Sequence, residues 1–269
     1  MAERMNNLSG KEWLQNSFSI WRDVAKTSEE RATKHPALFP QILAEKLIQI
    51  YTKNPGEVIL DPFLGIGSTV KAAYALGKQG IGIDLNKEFI AIAKQRLKDS
   101  KNDLVSEMEA IERFEPKIYT GDSRKLLKHV KEESVDLVVT SPPYWDILNQ
   151  KRTADKKDVR NYSDAEEDIG NIHDYEEFLD NLKAVMTQVY KALKPNKRCC
   201  SVVMDIRKKD KFFPLHEDQT RIMREIGFEL EEYVIWDRQK EYNNMKTLGY
   251  PWVFRFNKVH EYICIYWKR

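Results

Sequence analysis

The sequence predicts an α/β fold built on a mostly parallel sheet, and three observations carry that prediction. Short apolar runs, Val58-Ile59-Leu60 and Ile81-Gly82-Ile83 first among them, alternate with longer amphipathic stretches. Alternation of this kind is the pattern of strands joined by crossover helices. The first run feeds into a glycine turn, Gly65-Ile66-Gly67, that opens a helix. With 269 residues, 42% of them hydrophobic, the chain has enough core for one large α/β domain or two small ones.

The elements follow in order. Residues 1–33 carry Trp13, Phe18, Ile20 and Trp21 and read as an N-terminal helical extension, packed on the domain or forming a dimer contact. Leu43, Leu47, Ile50 and Tyr51 share one helical face. Strands follow at Val58–Leu60 and Ile81–Ile83. Asn86 is placed to cap a helix whose apolar face is Phe89, Ile90, Ala93 and Leu97. Val135 to Thr140 forms the next strand. Asp174 and Glu177 form an Asp-x-x-Glu variant of the capping box. Phe178, Leu182, Val185, Met186, Val189 and Leu193 then mark a long helix, stopped by Pro195. Cys199 to Met204, Leu230 to Trp236 and Tyr262 to Trp267 read as strands. Ile222, Met223 and Ile226 mark a helix between the first two, ended by Gly227.

Two segments, 146–172 and 237–258, have no clear period. Long irregular loops in a compact domain are more often functional than filler. They are the expected recognition loops of a domain spanning 34–269.

Composition excludes several classes. No apolar run approaches the ~20 residues that span a bilayer, and the N-terminus leads into no secretory signal. The expected setting is the cytoplasm of a prokaryote or phage host. Cys199, Cys200 and Cys264 lie inside apparent strands and read as buried reduced thiols, and no His/Cys spacing resembles a metal site. The net charge is +2. Arg207-Lys208-Lys209-Asp210-Lys211 and the cluster of Lys151, Arg152, Lys156, Lys157 and Arg160 have two readings, a nucleic-acid contact or a solvated loop.

The first candidate site is Asp61-Pro62-Phe63-Leu64-Gly65-Ile66-Gly67-Ser68-Thr69. Gly65 and Gly67 allow a tight turn and close approach of backbone to a ligand. Asp84 ends the next strand, 84 − 67 = 17 residues on, where an acidic side chain reaches ribose hydroxyls. Val70 stands where a dinucleotide fingerprint has its third glycine, and there is no Gly-Lys-Ser/Thr phosphate loop. A nucleoside without a pyrophosphate, such as S-adenosylmethionine, fits better than NAD or ATP. Asp122, with Ser123 after it, has two readings, an acceptor for the adenine amino group or a helix cap. Asp61 likewise orients the methionine ammonium or stabilises the turn.

The second candidate site is Ser141-Pro142-Pro143-Tyr144, at the end of a strand. An exocyclic ring amine is a poor nucleophile because its lone pair is delocalised. Methylating it requires acceptors for its hydrogens and a fixed ring. Ser141 supplies a hydroxyl and Pro142 a carbonyl, whose direction Pro143 stiffens. Tyr144 supplies a face on which a flipped base stacks. The alternative is a proline-rich turn with Tyr144 as a packed aromatic.

On these residues the chain resembles the amino-methyltransferases that act on N4 of cytosine or N6 of adenine in DNA. Asp61-Pro62-Phe63-x-Gly65-x-Gly67 resembles their cofactor motif and Thr140 to Trp145 their catalytic motif. Lys34 to Pro40, with Pro36 and Phe39, is similar to the segment covering the methionine end of the cofactor. His260-Glu261-Tyr262-Ile263, running into Lys268, resembles the final strand. The resemblance implies a Rossmann-like, S-adenosylmethionine-dependent methyltransferase fold with an antiparallel C-terminal strand. It implies S-adenosylmethionine as cofactor, held also by Phe63, Ser68 and Leu85, and DNA as substrate. Ser141 is similar to the cytosine-N4 group; Asp or Asn there is commoner for adenine.

The expected reaction is direct transfer to cytosine N4 without a strong base. Adenine N6 and an RNA base amine are alternatives, as is a non-catalytic nucleic-acid-binding subunit. No large recognition domain separates the two motifs, so specificity falls to the two irregular loops, to a second copy of the chain or to a separate recognition subunit. A restriction endonuclease is a further expected partner. Trp145 and Trp252 are candidates for DNA contact or for packing. Neither His35 nor His260 reads as a catalytic base.

Overall fold

A computed structural model describes residues 4–33, 38–105, 112–147, 167–208, 210–241 and 247–269. In chain order it opens with α1 (Gly10–Asn16), β1 (Ile20–Trp21), α2 (Ser28–Ala32) and α3 (Gln41–Tyr51). The central elements are β2 (Val58–Asp61), α4 (Ser68–Ala75), β3 (Gln79–Asp84), α5 (Lys87–Val105), β4 (Lys117–Thr120) and β5 (Val135–Thr140). Then come α6 (Tyr175–Ala192), β6 (Leu193–Val203), β7 (Ile206–Lys208), β8 (Lys211–Phe213), α7 (Leu215–Ile226), β9 (Glu229–Asp237) and β10 (His260–Lys268).

All six positions of β5 are buried, as a parallel strand covered by helices on both faces requires. Its side chains alternate. Val138 joins Leu60, Cys199, Phe178 and Leu182 in the core under α6 and α7. Leu137 and Val139 join Ile59, Leu43, Leu47 and Ala72 in the core under α3 and α4. One eight-stranded sheet results, in the order β1-β9-β10-β6-β5-β2-β3-β4. Its pairs are parallel except those of β10, which runs antiparallel to β6 and β9. The expected α/β fold with an antiparallel last strand is therefore present.

Local signals hold where caps are concerned. Asn86 Oδ1 accepts from the amides of Glu88 at 2.8 Å and Phe89 at 3.3 Å. Asp174 accepts from Glu177 N at 2.9 Å, and Gly227 ends α7 at φ 117°. The three cysteines are buried and unpaired in β6 and β10. Among the described residues no helix is long and apolar enough to cross a membrane.

Two expectations need correction, and one strand was not foreseen. The N-terminal extension is not only helical. Ile20 and Trp21 pair in parallel with Ile235 and Trp236, covering a sheet edge that would otherwise leave backbone groups unpaired. Trp236 Nε1 anchors this segment by donating to the Val24 carbonyl at 3.0 Å. The charged run from Arg207 is not simply a solvated loop: it forms the β7–β8 hairpin, with Lys208 opposite Lys211. And β4, an edge strand, has no fully buried position, so it lacks the apolar run that marks the others. Most of the expected loop at 146–172 and part of that at 237–258 lie outside the described residues.

Candidate active site

The strand order creates the site. From β2 the chain moves outward through β3 and β4, then returns to the other side of β2 for β5 and β6. The carboxyl ends of β2 and β5 thus flank a topological switch point, where open α/β sheets bind ligands. A cleft with about 830 Å³ of empty space lies there. It is lined by the segment Pro62 to Ile66 after β2, Asp84 to Asn86 after β3, Gly121 to Ser123 after β4, and Ser141 and Pro143 after β5. Two motifs far apart in sequence therefore face one space.

The glycine turn wraps around Asp84. Gly65 N donates to Asp84 Oδ2 at 2.7 Å and Asn86 N to Oδ1 at 2.8 Å. Burial pushes the Asp84 carboxyl up to about 6, against the pull of these amides. Gly67 sits at φ 87° as the N-cap of α4, a conformation that glycine adopts without steric penalty. The Ser68 hydroxyl donates to the Phe39 carbonyl at 3.0 Å, fastening Leu38 and Phe39 as one wall of the cleft. Ser123 donates its hydroxyl to the Pro62 carbonyl.

Asp61 does not reach the cleft. It is fully buried and accepts from Thr140 Oγ1, Thr69 Oγ1 and Phe63 N at 2.7, 2.7 and 3.0 Å. Burial pushes its carboxyl up to about 6. The geometry favours the turn-stabilising reading, with Asp61 tying β2, β5 and α4 together. Asp122 does line the cleft, but as a cap. It accepts from Arg124 N at 2.9 Å and from Arg124 Nε at 3.0 Å. Arg124 also donates to the Glu167 carbonyl at 3.1 Å, which joins two walls of the cleft.

Ser141 lines the cleft, while Pro142 and Tyr144 do not. The Tyr144 ring is only 8% exposed and packs in the core under α6. Its hydroxyl donates to Glu261 Oε2 at 2.6 Å and lies 3.1 Å from Ser141 Oγ. Arg238 pairs with the other oxygen of Glu261. In this arrangement Tyr144 offers a hydroxyl to Ser141, not an open stacking face. Trp145 is likewise core, between Tyr175 and Phe213, with Lys208 Nζ 4.0 Å from its ring centre. Trp252 is exposed. Pro36 and His35 lie outside the described residues. His260 is half-buried, and burial holds its imidazole down.

The sequence reading missed Asn86, Phe89, Glu167, Asp168, Ile169 and Val185 as cleft residues. In the sequence Phe89 and Val185 read only as members of helix faces, and Asp168 sits in a stretch with no motif. Asn86, two residues past Asp84, was findable. Among the described residues the lining includes the carboxylates Asp84, Asp122, Glu167 and Asp168 and no Lys, Arg or His. Such a cleft suits a nucleoside that carries positive charge and disfavours phosphates.

An orphan methyltransferase, M.BamHII of Bacillus amyloliquefaciens, is 40% identical over 86 residues, covering 30% of this chain and 32% of that protein. The Type II methyltransferase M2.DpnII of Streptococcus pneumoniae is 44% identical over 79 residues, 29% of each chain. The chain thus matches about a third or less of the length of these relatives. A SAM-dependent methyltransferase structure from Methanosarcina mazei shares the fold at a TM-score of 0.51 and 13% identity, covering 86% of this chain and 98% of that one. The DNA methylase model for N6 and N4 enzymes matches residues 2–95 and 135–269, which include both motifs and every strand but β4, and the chain therefore belongs to the DNA methylase family.

Proposed function

We propose that this chain is an S-adenosylmethionine-dependent DNA methyltransferase that modifies N4 of cytosine. One observation carries the reading: Ser141 and the Gly65–Asp84 turn, from the two sides of the switch point, line one cleft. The carboxylate-rich lining fits the cofactor's charges. Asp84 holds the ribose, Leu38 and Phe39 cover the methionine end, and Asp122 and Ser123 border the base. When bound, the cofactor supplies an electrophilic methyl group on a sulfonium.

The chain's own task is to hold an amine. Tyr144 has one hydroxyl proton, and it goes to the Glu261 carboxylate. Tyr144 Oη therefore accepts from Ser141, and Ser141 Oγ keeps a free lone pair for an amino hydrogen. The motif assigns the second acceptor to the Pro142 carbonyl, next to the cleft-lining Ser141 and Pro143 though Pro142 does not itself line the cleft. Transfer of the methyl group to the held amine, with the electron pair of the broken bond remaining on the cofactor's sulfur, would leave the amine nitrogen positive. Its proton passes to Ser141 Oγ while the Ser141 proton moves to Tyr144 and that of Tyr144 to Glu261. Positioning and electrostatics supply the catalysis, and no strong base is involved.

Support for cytosine over adenine comes from the resemblance, in which a serine at the position of Ser141 is similar to the cytosine-N4 group. The test is nucleoside mass spectrometry on DNA from a methylase-deficient host expressing the chain. N4-methylcytosine is the expected product. N6-methyladenine would overturn the base assignment and leave donor and site standing. Unmodified DNA from a chain that binds the cofactor would overturn the DNA reading.

A further inference from the structure

Four aromatic side chains stand in solvent between β9 and β10. Tyr250, Trp252, Phe254 and Phe256 are 80, 89, 85 and 77% exposed. Leaving each ring in water forgoes about 2 kcal/mol of burial, and clustered apolar exposure of this kind marks an interaction site. The segment has a defined shape. The Gly249 carbonyl accepts from Trp252 N at 2.9 Å and Val253 N at 2.8 Å, and Leu248 bridges to Arg255 across the loop. Gly249 is at φ 78°, and a Cβ there would meet the Val253 carbonyl oxygen at 2.1 Å.

Its place in the fold is specific. β9 ends and β10 begins at the same sheet edge where β5 delivers Ser141, because β10 runs against its neighbours. The β7–β8 hairpin leaves β6 at that edge too. Arg255 pairs with Asp210 of the hairpin, and Lys258 Nζ and the Arg207 guanidinium lie 4.5 and 5.4 Å from the Phe212 ring. Loop and hairpin thus form one surface in which rings alternate with cations: Trp252, Phe254, Arg255, Phe256, Lys258, Arg207. Cations for a phosphate backbone and rings for bases are the two components of binding to unstacked nucleic acid.

We propose that the 250–256 loop stacks its aromatic side chains on DNA bases left exposed where the helix is interrupted, as it is when a target nucleotide leaves the stack. This rests on the DNA methyltransferase reading and adds a binding element outside the cleft. The loop then favours interrupted DNA over intact duplex, and so lowers the free energy of the flipped state.

The test measures fluorescence anisotropy of the full chain with a labelled duplex and with the same duplex carrying one abasic site. The native chain is expected to bind the abasic duplex at least about tenfold tighter, the value of one stacked base. The double variant Trp252→Ala, Phe254→Ala should reduce that ratio to about one, and the double variant Trp252→Tyr, Phe254→Tyr should keep most of it. Arg255→Ala should weaken both duplexes alike and flatten the salt dependence. The proposal is overturned by an unchanged ratio in the alanine pair, or by no preference in the native chain. It is overturned equally if the alanine pair converts a dimer to a monomer in sedimentation while the ratio stays unchanged. Methyl transfer to DNA, assayed in parallel, separates the failures: transfer without the preference removes only the loop's role, and no transfer removes the parent reading.

Discussion

At Ser141 the direction of one hydroxyl proton decides whether the site can accept from an amine. Glu261 sets that direction through Tyr144, over hydrogen bonds of 2.6 and 3.1 Å. Glu261→Gln supplies a donor in place of an acceptor, so the chain of hydroxyls can reverse. We expect kcat to fall on the order of 10²-fold, with KM for DNA changed little and cofactor affinity unchanged in calorimetry. Tyr144→Phe should act in the same way, and native turnover in either variant would remove Glu261 from the route. Asp84 belongs to the other half of the cleft. Asp84→Ala should lose cofactor affinity by on the order of 10-fold or more, because the Gly65 amide loses its acceptor along with the ribose. Equal binding in calorimetry would take Asp84 out of the site. None of the Tyr144 geometry was legible beforehand. The motif names the residue, but its partner, Glu261, comes from the last strand, 117 residues away.

Among the elements, the glycine turn and α4 form the most constrained joint. A Cβ on Gly67 would meet Ala93 Cβ of α5 at 2.9 Å, at a φ of 87° that disfavours any side chain. Gly67→Ala should cost about 2 kcal/mol in urea unfolding and weaken cofactor binding, since Gly65 shares the turn. A change below about 0.5 kcal/mol would show that the turn relaxes freely. The buried strands, the long helices and the caps at Asn86 and Asp174 could be read directly, because apolar period and capping chemistry are local; the end of α6 could not, since the helix stops at Ala192 and both Leu193 and Pro195 belong to β6. The strand β4, the two-residue β1 and the β7–β8 hairpin could not. Each is short, lies at an edge or outside the main sheet, and draws its stability from a neighbour rather than from its own pattern.

Across the whole molecule, two carboxyls, Asp61 buried outside the cleft and Asp84 in its lining, couple pH to stability. Burial pushes both Asp61 and Asp84 from the ordinary 3.8 up to about 6. Raised values mean that the folded state holds protons the unfolded chain has lost. Their contribution is fully present below pH 3.8 and is lost as pH rises through about 6. Asp136, paired with Lys194 at 2.8 Å, is held below 3.8 by its lysine partners despite burial. Its contribution is present above that value and lost only in stronger acid. His260, held down by burial, opposes the aspartates in the middle of the range. The expected outcome is that Asp84→Asn reduces the gain in melting temperature that the free chain shows between pH 7.5 and pH 5. Cofactor affinity should move the other way and fall below about pH 6, as Asp84 takes up a proton. A pH profile of stability identical in the native chain and Asp84→Asn would refute the coupling.

The amino-acid sequence by itself determined the strands and helices of the sheet's interior, the two motifs and the kind of ligand the glycine turn suits. These depend on apolar period, backbone freedom and side-chain type within a few residues. Only the tertiary structure decided which motif residues face the cleft. It turned Asp61 inward onto two threonines, made Asp122 a cap and closed Tyr144 against Glu261. It also brought an aromatic loop and a basic hairpin to the edge that holds Ser141. Those outcomes depend on which strands lie side by side and on which way β10 runs, and no local stretch of sequence carries that information.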